Sequence, residues 1–491
     1  MHAHPPLIPF PSQSFAWKSS WFPLPAMPLV FSAPEAWRTV LGAGVASLKL
    51  SVQWSSEAGN ADVFFEKTAS KRGPESYSLD VQSKQIHVTA QQPEGAFYAL
   101  MTLSQLLKAY PQEIPCCSIE DAPAYPWRGF MLDVARNFFS IDELYRIVDL
   151  LCTFKMNVLH LHLSDDQGWR LEIASHPDLV CDPSRSYTQS QMRDLQQYAA
   201  VRNVQIVPEI DLPGHTLALL SVYPQYSCTG GPFEIPVGEG IFQDILCVGK
   251  DEALQCAKGI LREVSELFDS KFIHLGGDEI PLQRWAACPD CIRRRQDLGL
   301  SDEKDLLRWF CNEMAAYART LGKHLILWND YVDDGYDRSI TTQIWNPLKA
   351  TGQAARTSIK SDYFHTYLDM DHALVSLHTV YKYGRILRDA SSLIGSELLL
   401  WTEYISTLDM LEGHLLPRLL AGAEIFWTQP DACSYKRFNK VLRENQALFI
   451  PRFSAFTPAD LWDPPRWEQY YRRWKRKRRV LRNSREAGIS L

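Results

Sequence analysis

Phe272-Ile273-His274-Leu275-Gly276-Gly277-Asp278-Glu279 is a short apolar run of β type that ends in two glycines and two adjacent carboxylates. A run of this length suits a buried strand rather than a helix. Its polar residues fall at the C-terminal end, where parallel sheets and barrels present their chemistry. The same layout recurs throughout the chain beyond Pro126, where strand, loop and helix alternate.

Eight runs read as strands: Gly129–Val134, Val158–Leu163, Val204–Ile210, Phe272–Leu275, Leu325–Trp328, Thr342–Trp345, Tyr363–Tyr367 and Leu398–Trp401. Between the first two, Ile141, Leu144, Ile147, Val148 and Leu151 recur at three and four after the capping box Ser140-Ile141-Asp142-Glu143. Ala253–Phe268, Leu306–Leu321 and Leu408–Phe426 carry comparable helical spacing. Eight strands alternating with helices predict an α/β chain with a (β/α)8 TIM barrel over residues 121–450. No Gly-rich phosphate fingerprint follows the first strand, which argues against an open nucleotide-binding sheet.

Outside the barrel, Pro5, Pro6, Pro9, Pro11, Pro23, Pro25 and Pro28 predict an extended arm over residues 1–35. Residues 36–120 read as a small α/β domain, with strands at Ser47–Gln53, Ser76–Val81 and Gln85–Ala90 and a helix over Gly95–Leu107. Residues 451–491 form a C-terminal extension with a basic tail. Residues 466–491 hold ten Lys/Arg against Glu468 and Glu486, a local charge of +8 that leaves −14 on the remainder of a chain whose net charge is −6. The run Arg472–Arg479 is read as a solvated helix face or a tail on the acidic body, so no nucleic-acid partner is expected.

No apolar run approaches the roughly 20 residues of a membrane span, so no membrane partner is expected either. The start, Met1-His2-Ala3-His4-Pro5-Pro6, has neither a basic n-region nor an apolar h-region. The eleven cysteines are irregularly spaced and odd in number, which points to reduced thiols and, with the start, to a cytoplasmic protein. Cys288-Pro289-Asp290-Cys291 has metal-like spacing. No second Cys or His pair lies close to it in the sequence, so it is read as a loop with two ordinary thiols.

Two neighbouring carboxylates rarely share one pKa. After Gly276-Gly277 the backbone can leave strand geometry and turn both Asp278 and Glu279 to one pocket, one kept protonated as a general acid and the other ionised. That division suits cleavage of a glycosidic bond, while a pair that caps a helix or binds a cation is the plainer alternative. Trp328, Trp345 and Trp401 each close a strand and offer flat walls for a pyranose, although any one alone could be core. Arg128, Asp165, Asp211, His215, Asp369 and Glu403 flank the strands with hydrogen-bonding groups. For Arg128 or Asp165 alone a structural salt bridge explains as much. A rival set of His160, His162, His215, His274 and Asp278 suggests a zinc-dependent barrel hydrolase.

With those residues assembled, the chain resembles glycoside hydrolase family 20, the β-N-acetylhexosaminidases, over about 45–430. The resemblance rests on four segments: Trp127-Arg128-Gly129-Phe130-Met131-Leu132-Asp133-Val134-Ala135-Arg136, residues 157–170 from Asn157-Val158-Leu159-His160 to Gly168-Trp169-Arg170, Val207-Pro208-Glu209-Ile210-Asp211-Leu212-Pro213-Gly214-His215, and His274–Glu279. It implies substrate-assisted hydrolysis of terminal β-linked GlcNAc, with GalNAc left open, and no metal or cofactor. Glu279 is then the acid and base, and Asp278 orients the acetamido group. Tyr367 holds the acetamido oxygen, Arg128 binds O3 and O4, Asp369 O6, and Glu403 O4. Trp328, Trp345 and Trp401 line the acetamido pocket and floor, and Asp165 and His215 support Glu279 from behind. The partner implied is a glycan with a terminal N-acetylhexosamine. A lacto-N-biosidase of the same family and a catalytically silent glycan-binding protein are the alternatives.

Overall fold

Eight parallel strands close into a barrel in the computed structural model, which describes residues 4–475 apart from 26, 70–71, 239, 350–355, 388–391 and 450–454. In chain order they are β1 (Trp127–Asp133), β2 (Val158–His162), β3 (Gln205–Glu209), β4 (Phe272–His274), β5 (His324–Trp328), β6 (Thr341–Ile344), β7 (Ser358–Lys360) and β8 (Leu393–Leu400). Each pairs in parallel with the next, and β8 returns to β1. Closure pairs every strand on both sides, and all eight C-terminal ends therefore open on one face.

Seven of the strands fall on the runs read from sequence. The exception is β7, which is Ser358–Lys360 and not Tyr363–Tyr367. Asp362 explains the difference: its carboxylate accepts from the Phe364 N–H at 2.8 Å, and its carbonyl accepts from the Thr366 hydroxyl at 2.9 Å. That local turn diverts the aromatic run into the loop after β7. A single bridge between Tyr367 and Leu399 ties it back to β8.

Helices cover the barrel's outside. Ser140 caps Ile141–Thr153 with the reciprocal Glu143 contact, as the capping box predicts. The stretch Leu408–Phe426 is two helices, Leu408–Leu415 and Arg418–Trp427, because Pro417 has no N–H to donate and crowds the preceding turn. Among the described residues no helix is long and apolar enough to cross a membrane.

The expectation of a separate N-terminal arm is overturned. Ser14–Pro23 pairs antiparallel with Glu113–Asp121, and Leu29–Ser32 lies between Val52–Ser55 and Val63–Lys67 in a seven-stranded sheet. Leu7 and Ile8 are fully buried. The prolines are compatible with this because Ser14–Pro23 is an edge strand and Pro23 its last residue. Ser47 and Leu48 end the helix Arg38–Leu48, whose buried Leu41, Gly44, Ser47 and Leu48 follow helical spacing, so the strand begins at Val52.

The helix Pro93–Ala109 packs this sheet against the barrel's N-terminal end, where Lys155 donates to Asp121 at 2.9 Å. At the other terminus Trp462 is fully buried in the core, and residues 466–475 form a helix. The rest of the basic tail, 476–491, lies outside the described residues.

Candidate active site

Gly276 and Gly277 follow β4 with φ of 68° and 84°, and Glu279 itself has φ 49°. This left-handed turn carries the chain out of strand geometry and around Asp211, whose carboxylate accepts the Gly277 N–H at 3.1 Å. A Cβ on Gly276 would collide with the Asp211 carboxylate, so only glycine permits the wrap. Tyr331 donates to the Ile280 carbonyl at 2.9 Å and fixes the segment just past Glu279. Both Asp278 and Glu279 then border one cavity of about 660 Å3 at the C-terminal face of the barrel.

Burial is the largest influence on both acids. Asp278 lies well above the ordinary carboxylate range because it is buried and Asp211 stands beside it. Burial also raises Glu279, and His215 pulls it part of the way back. Asp211 is itself pushed up to about 7, first by burial. Asp278 Oδ1 is buried without a hydrogen-bond partner among the described residues. An orphaned acceptor of this kind is costly unless a ligand N–H meets it.

Behind Glu279 runs a chain of charge. His215 Nε2 is 3.8 Å from Glu279 Oε2, and its Nδ1 is 3.2 Å from both Asp165 and Asp166. Burial opposes protonation of His215, but those carboxylates outweigh it and hold the imidazole well above its usual range. Asp165 also accepts from Arg136 at 2.6 Å and from His162 at 2.8 Å. His162 reaches Glu209 through Nδ1 at 2.7 Å, so both of its ring nitrogens face carboxylates. Carboxylates already engage both ring nitrogens of His162 and Nδ1 of His215, so these imidazoles are committed to an ion-pair network, which disfavours the zinc-hydrolase reading.

Trp345, Trp401 and Tyr367 wall the cavity, with Trp401 and Tyr367 ring centres 6.3 Å apart, and Asp369 and Glu403 border it. Trp328 lies one layer deeper than expected: it is 1% exposed, donates to Glu209 at 2.8 Å, and backs Trp401 at 6.0 Å between ring centres. Asp330, which sequence reasoning missed, accepts from the Trp345 indole N–H and fixes that wall. Arg472 and Lys475 of the C-terminal helix also border the cavity. The basic run is thus in part a wall of the site.

One assignment is corrected. Arg128 is fully buried at the N-terminal end of β1, where it donates to Glu75 at 2.6 Å, to the Tyr98 hydroxyl and to the Tyr125 carbonyl. It joins the two domains at the face opposite the cavity. The arginine in the site is Arg136, three residues past the C-terminal end of β1, with its guanidinium 5.1 Å from the Trp401 ring centre. The rule that barrel chemistry sits at strand C-terminal ends would have chosen it from the quoted segment.

Residues 125–430 match the model of the glycosyl hydrolase family 20 catalytic domain, and residues 4–122 match that family's domain 2. The chain belongs to glycosyl hydrolase family 20. It is a glycoside hydrolase built as the family's domain 2 followed by the family barrel. A Porphyromonas gingivalis protein named β-hexosaminidase is 33% identical over 78% of the chain, which spans 55% of that relative's length. An Akkermansia muciniphila β-hexosaminidase is 30% identical over 80% of the chain and 88% of its own length. The β-N-acetylhexosaminidase structure from Bacteroides fragilis superposes with a TM-score of 0.84 at 29% identity, covering 92% of this chain and 97% of that one. The Streptomyces plicatus N-acetyl-β-hexosaminidase in complex with Thio-NAglucal gives 0.79 at 26% identity, over 90% and 94% of the two chains.

Proposed function

We propose that this family 20 hydrolase is an exo-acting β-N-acetylhexosaminidase that removes terminal β-linked GlcNAc by a retaining, substrate-assisted reaction. The observation that carries this reading is the Asp278–Glu279 turn. It sets a buried, partnerless carboxylate oxygen beside an acid backed by a cationic imidazole. A retaining glycosidase with a protein nucleophile places its two carboxyls on either side of the anomeric carbon, about 5–5.5 Å apart. Here they are chain neighbours on one turn, an arrangement that leaves the attack to the substrate's own acetamido oxygen.

In this reading Asp278 accepts the acetamido N–H and balances the positive charge as the carbonyl oxygen closes on the anomeric carbon. Tyr367 donates its O–H to that oxygen. Glu279, whose hold on its proton burial strengthens, gives that proton to the leaving oxygen, then takes one from the water that opens the oxazolinium ring. Net retention follows from two displacements at one carbon. Trp345 and Trp401 hold the sugar faces and Trp328 backs them. Arg136, in place of Arg128, binds ring hydroxyls alongside Glu403, and Asp369 receives O6. Asp165 reaches Glu279 through His215.

The names of the relatives and the Streptomyces plicatus β-hexosaminidase structure in complex with its product GlcNAc support this reading. It is tested with chromogenic β-GlcNAc and β-GalNAc glycosides and a lacto-N-biose glycoside, using the native chain, Glu279→Gln and Asp278→Asn. The expected outcome is release of GlcNAc by the native chain and losses of several decades in both variants. Cleavage of the disaccharide glycoside alone would overturn the exo assignment, and a folded but inactive native chain would favour glycan binding without catalysis.

A further inference from the structure

The chain also builds a second site, away from the sugar cavity. We propose that Cys228, Cys247, Cys288 and Cys291 bind one structural zinc ion. Cys288 and Cys291 stand at the start of the helix Pro289–Asp297, in the loop that follows Glu279. The fold brings Cys228 and Cys247 to them from the long loop after β3. The reading of Cys288–Cys291 as two ordinary thiols is thereby corrected: the missing pair exists and is remote in sequence.

The geometry is that of a tetrahedral ligand set. The Sγ atoms of Cys247 and Cys291 are 3.6 Å apart, those of Cys247 and Cys288 3.7 Å, and those of Cys228 and Cys291 3.9 Å. All four lie within 4.8 Å of one another. A zinc ion with bonds of about 2.3 Å to four sulfurs requires edges of about 3.8 Å. A disulfide needs about 2.05 Å, and all four cysteines are free thiols. Three of them are buried and Cys228 is half-buried, so the ion would be shielded by protein.

The surroundings are shaped for this cluster. Gly249 presses the loop of Cys247 against the Cys288–Cys291 turn, and a Cβ there would collide with the backbone of Asp290 and Cys291. Lys250 donates to the Ser227 carbonyl at 2.7 Å beside Cys228, and Arg294 donates to the Gly249 carbonyl at 3.2 Å. Four thiolates around Zn2+ carry a net charge of −2, which these two cations and the N-terminal end of the Pro289–Asp297 helix offset. Four sulfur ligands complete the tetrahedron and leave no open position for water, so the ion is structural.

Its placement gives it a consequence. Cys228 and Cys247 belong to the loop that carries His215, and Cys288 and Cys291 to the loop that carries Glu279. The two loops also share a Trp285 indole bond to the Leu246 carbonyl at 3.0 Å, an Arg284–Asp244 ion pair and the Gly277 N–H bond to Asp211 at 3.1 Å. Zinc would hold the imidazole and the acid in register.

The test uses the full chain purified without chelator. Elemental analysis should find about one zinc per chain, and X-ray absorption four sulfurs at about 2.3 Å. Mercurial titration should release that zinc into a chromogenic chelator. Cys228→Ser and Cys291→Ser should lose the metal and unfold at lower temperature, whereas Cys256→Ser, outside the cluster, should keep it. Should the variants fail to fold, the native protein still decides. No zinc in the native chain, even after reconstitution with zinc chloride under reducing conditions, would overturn the proposal. So would an intact mass showing disulfides among these four residues, or a zinc spectrum dominated by nitrogen and oxygen.

Discussion

Arg136 donates to Asp165 at 2.6 Å, while Arg128, eight residues earlier on the same segment, donates to Glu75 at the other end of the barrel. Burial disfavours the charge on each, yet neighbouring carboxylates hold both firmly protonated. The two arginines therefore have separable consequences. Arg136→Ala removes a cation from a pocket rich in carboxylates and should lower kcat/KM by about 100- to 1000-fold, on the order of 3–4 kcal/mol. Arg128→Met should leave KM within about 2-fold and instead cost roughly 3 kcal/mol of stability, since it strands Glu75. Urea unfolding and steady-state kinetics on both variants distinguish the two.

His215 controls the acid. Its positive charge holds the Glu279 pKa below the level that burial alone would set. In His215→Gln that charge is gone, so Glu279 keeps its proton to higher pH. The alkaline limb of kcat/KM should move upward, while the rate of the step that needs Glu279 as a base falls. A pH profile with unchanged limbs would separate His215 from Glu279.

Asp278 and Asp211 make the fold pH-dependent. Their folded pKa values lie above the unfolded ones, Asp211 at about 7. The folded state thus binds the protons more tightly. That contribution is complete below about pH 4, the unfolded value, and is lost as pH rises through the folded value. Asp278→Asn removes the cost of ionisation, so its Tm should exceed that of the native chain at pH 8 and match it near pH 4, while activity falls by decades. Calorimetry at the two pH values checks the sign.

Gly276→Ala meets both a positive φ and the Asp211 carboxylate. A loss of about 2–4 kcal/mol is expected, with activity falling further than stability because the turn aims both acids. Circular dichroism and kinetics on the folded fraction measure the two effects separately.

Arg472 and Lys475 close one side of the cavity. Replacing both with alanine should leave kcat on a small neutral glycoside within about 2-fold, and should raise KM for glycosides whose aglycone carries a carboxylate. That preference should weaken with salt in the native chain, over a Debye length of about 8–10 Å at physiological ionic strength.

Much of this architecture is legible in the chain itself. Runs such as Val158–His162 and His324–Trp328 announce barrel strands because burial on both faces selects apolar residues over a few positions. Asp278 and Glu279 are read at once because their relation is covalent: two glycines and two acids in a row. The misplaced seventh strand shows where this fails, since Tyr363–Tyr367 has strand composition and a single aspartate turns it into loop.

By itself, then, the sequence determined what depends on neighbours along the chain: strand and helix periods, the capping box at Ser140, and the acid pair after Gly277. The tertiary structure alone decided what depends on closing the barrel. Closure sends Arg128 to one face and Arg136 to the other, and it lays a C-terminal helix along the cavity. It also brings Cys228 to Cys291 across 63 residues of chain. Such contacts leave no periodic trace, because they are made between loops whose proximity comes only from the strands that carry them.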